Sequence, residues 1–271
     1  MDSWMGLLKK DFLLMKNRFL VFLMLDLLAF GLGWYLHIKE IGFLNNPSLN
    51  WVMNENDFIK LIPLAIAIGL HVLFISFYVF MSLRKEGKQL HLWLHNPQSA
   101  YVLLGSKVVN GLIALIISLI FSFFLFFMYF LPILSELGPH IGDLTKLIMY
   151  ASTNIIFASL VIGSAILFFW VLYHVFKSRI GKWSLLVILI VMILFIWGMS
   201  NFQATDIYNN LVLRGEINIE FPSFEALNFV ESNVMDVDQG EDFVGLYVFN
   251  VLIFAVLFVL SAWMIEKKVE V

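Results

Sequence analysis

The sequence of 271 residues contains no cysteine and little charge. The lack of cysteine excludes a disulfide-stapled secreted module and a cysteine-ligated zinc domain. Charged residues make up 14% of the chain, whereas soluble domains average about 25%. Pro-rich and Gly/Ser-rich linkers are absent, and no repeat of solenoid length is visible. We therefore expect one domain over residues 1–271, with no affinity for nucleic acid.

The chain is rich in long apolar stretches. Hydrophobic residues make up 61% of it, and a helix that crosses a bilayer needs about 20 mostly apolar residues. Six stretches qualify: Phe19–Leu36, Leu61–Leu83, Val102–Leu134, Leu147–Phe176, Ser184–Met199 and Leu246–Ile265. The pattern predicts an all-α integral membrane protein with six transmembrane helices. The third and fourth must tilt, kink or project, and Pro132 is a natural break in the third.

The distribution of basic residues sets the orientation. Six crossings put both termini on one side of the membrane. Segments 1–18, 84–107 and 177–182, with the tail after Ile265, hold 13 of the 17 Lys and Arg residues. By the positive-inside rule these segments and both termini are cytoplasmic. Short loops and the lack of a targeting segment are typical of a bacterial plasma membrane protein.

The start of the chain has an amphipathic pattern. Trp4, Leu7, Leu8, Phe12 and Met15 recur at helical spacing, with lysines largely on the other side. This pattern predicts an amphipathic helix over residues 1–18 that lies in the cytoplasmic interface. The alternative is a polar beginning of the first span.

The outer segment 200–245 is acidic, with nine Asp and Glu residues against Arg214 alone. A structureless loop of this length is uncommon, so we expect short outer helices before the last span. Asp236, Asp238 and Gly240 resemble part of a calcium loop, but the Glu expected at its twelfth position is Tyr247. A solvated acidic loop is favoured over an ion site.

The loop over residues 84–107 is less polar than a simple connector. Leu90, Trp93 and Leu94 share one helical face, Glu86 lies at the start, and Pro97 ends the pattern. The residues alone leave two interpretations open, a helix that docks on a partner and a helix on the membrane surface. His91 and His95 have metal-ligand spacing without a third ligand, which favours a partner-facing surface over a metal site.

This loop is similar to that of ABC-2-type transporter permeases in its order of basic residues, Glu-Gly, a Leu-rich turn, Pro-x-Ser and Leu-Leu-Gly. The sequence departs from the family pattern at two positions. Lys88 stands where that family often has Thr, and Ser106 separates Gly105 from Lys107, where the family usually has Gly-Lys directly. The resemblance implies a coupling helix seated in a groove of an ATP-binding subunit. The contact residues it implies here are Glu86, Gly87, Leu90, Trp93, Leu94 and Pro97. It also implies two permease chains, identical or related.

The chain lacks the GxxxxGK[ST] phosphate loop, so we do not expect it to be an enzyme by itself. ATP and Mg are expected in the partner subunit, and this chain is expected to bind no cofactor. The predicted role is the permease subunit of an exporter. Its apolar spans favour an amphipathic or hydrophobic cargo, such as a peptide, drug or lipid, that moves outward.

One carboxylate and one histidine stand out well inside the predicted spans. Asp26 is in the first and His71 is at a comparable depth in the second. Since a charge inside the bilayer costs about 3 kcal/mol, they are candidates for a polar pair that lines a pathway or serves structure alone. The alternative function is a self-sufficient ion-coupled carrier or channel that uses this pair. Such carriers usually have repeats and broken helices, and the sequence indicates neither.

Small residues form two strips on the predicted third and fourth helices. Ala114, Ser118 and Ser122 are spaced by four, and Ser159 and Gly163 are likewise four apart. Such strips let helices approach closely. Packing within the chain and dimerisation both remain open.

Overall fold

The computed structural model describes residues 2–43, 57–86, 98–137, 141–218 and 241–268. These residues are almost entirely helical, as a bilayer requires, because a helix satisfies its own backbone hydrogen bonds. The elements are α1 (Asp2–Phe43), α2 (Asp57–Val72), α3 (Phe74–Glu86), α4 (Ala100–Leu137), α5 (Ile141–Ile180), a 3₁₀ turn (Gly181–Trp183), α6 (Ser184–Gln203), α7 (Asp206–Leu211), β1 (Glu216–Asn218), β2 (Glu241–Phe243) and α8 (Val244–Lys268). The fold is that of an all-α membrane protein with one short β ladder.

Three helical stretches of the described chain are long and apolar enough to cross a membrane: Ala100–Met128, Ile148–Gln203 and Val244–Lys267. The bent pair Ala65–Val72 and Phe74–Lys85 adds a fourth if it counts as one span.

The stretch Ile148–Gln203 is not straight. Gly181, directly after α5, has φ 59°, a left-handed conformation that commonly ends a helix. The ring centroids of Phe169 and Phe195 lie 6.0 Å apart, whereas a straight helix would separate these residues by about 40 Å at about 1.5 Å per residue. The helices α5 and α6 therefore form a hairpin that turns at Gly181.

The helix α1 is not divided into an interfacial helix over residues 1–18 and a separate first span. One helix continues from Asp2 to Phe43. Leu7 and Met15 are buried within the bundle, while Phe12, expected on the same apolar face, is 39% exposed. Leu7 and Met15 thus belong to the core of the bundle, together with residues of α4 such as Leu104. Contact of this segment with the membrane surface stays a prediction.

Two expectations about helix continuity fail. The predicted break at Pro132 is not seen, because α4 continues to Leu137. A proline costs a helix one backbone hydrogen bond, which transmembrane helices often tolerate. The predicted second span, by contrast, bends by 45° between α2 and α3, at Leu73. A broken helix is therefore present where the sequence indicated none.

The core lies where α1, α3, α4, α5 and α8 meet. Its fully buried apolar residues include Met15, Val79, Leu83, Leu104, Leu115, Leu167, Val171 and Ala262. The helix α6 differs, since it packs mainly on α5 and Ser184 is its buried residue. Its apolar side chains, such as Trp197 and Leu185, are exposed, as expected for a helix that faces lipid or another chain.

The outer segment contains one of the expected short helices, α7. Thr205 caps its start by accepting a hydrogen bond from the backbone N–H of Tyr208. The antiparallel ladder of β1 and β2, in which Glu216 pairs with Phe243, was not predicted. Residues 219–240 lie outside the described chain, and with them Asp236, Asp238 and Gly240 of the candidate ion loop.

Candidate functional site

Most of the predicted coupling segment lies outside the described residues. Glu86 is the last residue of α3, and Gly87, Leu90, Trp93, Leu94 and Pro97 fall within the undescribed range 87–97. His91 and His95 lie in the same range. The structure does describe both flanks of this segment, the end of α3 and the start of α4.

Each flank is bonded to a different part of the bundle. Lys85 donates from Nζ to the carbonyl oxygen of Leu14 on α1 at 2.8 Å. The backbone N–H of Ala100, at the start of α4, donates to Oε1 of Glu266 on α8 at 3.0 Å. Because a helix begins with unsatisfied N–H groups and a partial positive charge, the Glu266 carboxylate is favourable there. Both ends of segment 87–97 are thus attached to other helices.

A buried ion pair lies just beyond the second flank. Asp11 of α1 is fully buried, and its carboxylate accepts a hydrogen bond from the Ser106 hydroxyl at 2.5 Å. Lys107 Nζ lies 3.3 Å from the other carboxylate oxygen. One turn further along α4, Asn110 donates to the carbonyl oxygen of Leu8 at 3.0 Å. We call Asp11, Ser106 and Lys107 the flank ion cluster.

Sequence reasoning missed the flank ion cluster. It assigned Lys107 to the cytoplasmic charge count and did not single out Asp11. A signal was available, since Asp11 lies four residues after Leu7 and four before Met15, on the apolar face of α1. A lone carboxylate on a face that is otherwise buried requires a cation or several donors.

A second polar cluster lies deeper, where α1, α2 and α4 meet. The structure brings together the two candidates Asp26 and His71, with 3.6 Å between Asp26 Oδ2 and His71 Nε2. The Ser118 hydroxyl lies between them, 2.8 Å from Oδ2 and 3.1 Å from Nε2. The Ser122 hydroxyl is 3.4 Å from Nε2. We call these four residues the embedded polar cluster.

Three of the four residues of the embedded polar cluster are buried, and Ser122 is partly exposed. Asp26, His71 and Ser118 are all buried, and Asp26 Oδ1 has no hydrogen-bond partner among the described residues. The strip Ala114, Ser118 and Ser122 therefore serves a contact within the chain, in which two of its hydroxyls bond the pair. No group of three His, Asp or Glu side chains in the described ranges is arranged to hold a metal ion.

The bend between α2 and α3 begins two residues after His71, and α5 supports it. The backbone N–H of Ile75 donates to Ser159 Oγ at 3.1 Å, across 84 residues of sequence. Gly163 lies one turn further, where an added Cβ would be 2.6 Å from Ile75 Cγ2. The second small-residue strip thus lets α5 approach the bend and supplies an acceptor to a backbone donor there.

Ser159→Ala is expected to lower the free energy of unfolding by about 1 to 2 kcal/mol, because it leaves the buried Ile75 N–H without its acceptor. The measurement is unfolding of the purified protein in micelles as denaturing detergent is added. Ser164→Ala is the matched control, since Ser164 is also buried on α5 but donates only to the Val161 carbonyl of its own helix. Equal losses in the two variants would contradict the assigned role of Ser159.

Comparisons with known proteins give one distant relative and no family. No family model matches the chain, and no solved structure matches it. The chain is 27% identical over 198 residues to a Bacillus subtilis (strain 168) protein named uncharacterized protein YhcE, and the match covers 72% of each protein. That name gives no activity, so the function is argued from the residues and the geometry.

Proposed function

We propose that this chain is the transmembrane permease subunit of an ATP-driven ABC exporter. The observation that carries the proposal is the attachment of both flanks of segment 87–97 to other helices, Lys85 to α1 and Ala100 to α8. A partner that moved this segment would displace α3 and α4 together with the helices bonded to them. That is the mechanical requirement for a coupling helix, in line with the resemblance of the loop to ABC-2-type permeases.

A chain that crosses the membrane six times would bring together the residues that contact each other at the two flanks. Leu14 contacts Lys85, so an even number of crossings separates them, which suits one crossing by α1 and one by the bent pair α2 and α3. Ala100 contacts Glu266, which suits four crossings by α4, α5, α6 and α8. In this arrangement residues near both termini lie at the end of the bundle that carries the coupling segment. The positive-inside rule makes that end cytoplasmic, in a bacterial plasma membrane.

The energy for transport comes from the partner in this proposal. ATP and Mg bind in the ATP-binding subunit, and their turnover shifts the coupling segment between two positions. Transport follows if the inward-open and outward-open states differ in stability between those positions. The flank ion cluster lies about two turns into α4 and would carry the displacement of the coupling segment to α1.

A second permease chain, identical or related, completes the pathway. The exposed apolar face of α6 is available to a neighbouring chain or to lipid. The cargo class favoured by the apolar spans is an amphipathic or hydrophobic molecule, a peptide, drug or lipid, that moves outward.

Trp93→Ala is expected to weaken binding of the ATP-binding subunit by about 2 kcal/mol, or about 30-fold, because buried tryptophans dominate many interfaces. The measurement is ATP hydrolysis that remains with the complex purified from native membranes. Trp183→Ala is the matched control, since Trp183 is 70% exposed in the turn at Gly181, another predicted cytoplasmic segment. Glu86→Lys should act like Trp93→Ala. Hydrolysis retained equally by all three variants would contradict the proposal.

A self-sufficient ion-coupled carrier is the second candidate, and the bend at Leu73 beside His71 favours it. Broken helices near a buried ionisable pair are typical of secondary transporters. The discriminating experiment reconstitutes the chain in vesicles with and without its ATP-binding partner. Transport by the chain alone, abolished by a protonophore and indifferent to ATP, would support the carrier. Transport only with partner and ATP would support the exporter.

A further inference from the structure

The hydrogen bonds of His71 fix the position of one ring proton. Nδ1 lies 2.8 Å from the carbonyl oxygen of Ala67, one turn earlier on α2. A carbonyl oxygen can only accept, so the proton of this contact is on Nδ1. In a neutral ring, Nε2 then carries a lone pair. That lone pair faces Asp26 Oδ2 and the hydroxyls of Ser118 and Ser122.

An ionised Asp26 beside a neutral His71 is the least favourable pairing in this geometry. The carboxylate and the lone pair of Nε2 would face each other across 3.6 Å. The Ser118 hydroxyl has one proton and cannot donate to both. The Ser122 hydroxyl is 3.4 Å from Nε2, too long for a strong hydrogen bond, and so compensates the lone pair only weakly. The cluster would also carry a net negative charge inside an apolar bundle, at a depth where a charge costs about 3 kcal/mol. Asp26 Oδ1 receives no hydrogen bond from the described chain to reduce that cost.

One additional proton removes each of these penalties. On Nε2, it turns the pair into imidazolium and carboxylate, joined through the Ser118 hydroxyl, with no net charge. On Asp26, the protonated acid donates a hydrogen bond to Ser118 Oγ, and the Ser118 hydroxyl donates a hydrogen bond to the lone pair of Nε2. The two arrangements differ only in where protons sit along the chain of Asp26, Ser118 and His71.

We propose that Asp26 and His71 together bind a single proton, and that this proton holds α2 against α1 and α4 beside the bend at Leu73. Release of the proton leaves the facing lone pairs uncompensated, so α2 moves from Asp26 and the angle between α2 and α3 changes. The proton site therefore lies beside the bend at Leu73, the one break within a predicted span that the described residues show. It does not depend on an ATP-binding partner.

Other titratable groups on the packed helices lie at least seven residues from the cluster along their own helices. The nearest of these groups with described side chains are Arg18 and Tyr35 on α1, Tyr78 on α3 and Lys107 on α4, and on α5 Tyr150 lies nine residues before Ser159. Among the described side chains, the hydroxyls of Ser118 and Ser122 are the hydrogen-bonding neighbours of the pair. The proton is therefore assigned to the pair and not to a wider network.

The first test determines where the proton is in the wild-type protein near neutral pH. Nitrogen NMR of ¹⁵N-histidine-labelled protein separates imidazolium from each neutral tautomer, and His71→Gln identifies the His71 signals. Infrared difference spectra against Asp26→Asn show whether Asp26 has the carbonyl band of a protonated acid. We expect an imidazolium, or a neutral ring protonated on Nδ1 together with the acid band. A neutral ring beside an ionised Asp26 overturns the proposal, and so does a neutral ring protonated on Nε2.

The second test follows the bend as the proton leaves. Since the chain has no cysteine, spin labels attach only at introduced sites, and Ile66→Cys with Phe80→Cys puts them on exposed positions on either side of Leu73. We expect the distance between labels to change at the alkaline pH at which the NMR or infrared signature is lost. The same pair in an Asp26→Asn background should show no such change. An unchanged wild-type distance after the signature is lost overturns the link to the bend.

The spectroscopic test and the spin-label test both use the purified chain without nucleotide or partner. If the chain did not bind an ATPase, the proposed exporter function would fail, but the results of these two tests would not change. A negative result in these tests therefore contradicts the proton site and leaves the proposed function untouched. If Asp26→Asn or His71→Gln does not fold, the other variant still identifies the pair, and the wild-type spectrum decides the outcome.

Discussion

Lys107→Met is expected to lower the free energy of unfolding by about 3 to 5 kcal/mol, the range found when one partner of a buried ion pair is removed. Asp11 is fully buried, so loss of the ammonium leaves an uncompensated carboxylate with the Ser106 hydroxyl. Methionine keeps the apolar stem, and the loss is therefore mainly electrostatic. Unfolding in micelles against added denaturing detergent measures it. A total stability of about 5 to 15 kcal/mol is usual for a folded domain, so the variant should be close to unfolding.

Two controls separate the ion pair from the lysine itself. Lys9→Met removes a lysine that is exposed on the same end of α1 and should change little. The double variant Asp11→Leu with Lys107→Met removes both charges, and it should recover most of the loss because apolar replacements of buried pairs are often neutral or stabilising. A double variant as unstable as Lys107→Met alone would contradict the account.

Gly163→Ala is expected to lower the free energy of unfolding by about 2 to 3 kcal/mol, in the upper part of the range for overpacking a core. The new Cβ would lie 2.6 Å from Ile75 Cγ2 and 3.3 Å from Ile75 Cβ, with the backbone nitrogen of Ser76 behind them at 3.5 Å. Ile75 is β-branched and fully buried, so it has little freedom to turn away. The helices must separate at the bend, which also lengthens the bond from Ile75 N–H to Ser159.

The matched control is Gly31→Ala, because a Cβ at Gly31 meets nothing within 4 Å. In that variant the better helix propensity of alanine should give a gain of about 0.5 to 1 kcal/mol. Ile75→Ala in the Gly163→Ala background removes Cγ2 and should cost less than Ile75→Ala in the wild type. Independent, additive effects of the two substitutions would show that the contact is not limiting.

The sequence predicted the parts of this protein that depend on local composition. Apolar runs gave the predicted spans, and their positions coincide with most of the long helices. Asp26 and His71 stood out because ionisable residues are rare in such runs, and the structure places them in one cluster. Their functional role, the orientation of the chain and the coupling contact of Trp93 remain predictions.

Features that depend on distant residues were not predictable in this way. Leu73 is not adjacent to proline or glycine, and the residues that pack against the bend, Ser159 and Gly163, are more than 80 residues further along. Asp11 was missed because its partner Lys107 had an adequate explanation as a cytoplasmic charge. The ladder of β1 and β2 joins residues on either side of segment 219–240, and neither strand is longer than three residues. Pairing of this kind leaves almost no periodic signal.

The bond between Ala100 and Glu266 has a consequence for how the protein is made. A ribosome delivers α4 to the membrane 166 residues before it delivers the side chain that caps it. Until then, the backbone N–H of Ala100 in the first turn of α4 lacks its acceptor. A nascent chain thus acquires this contact only after α5, α6, α7 and most of α8 have been made. Premature termination before that codon would yield a product with α1 to α7 in which the start of α4 lacks its cap.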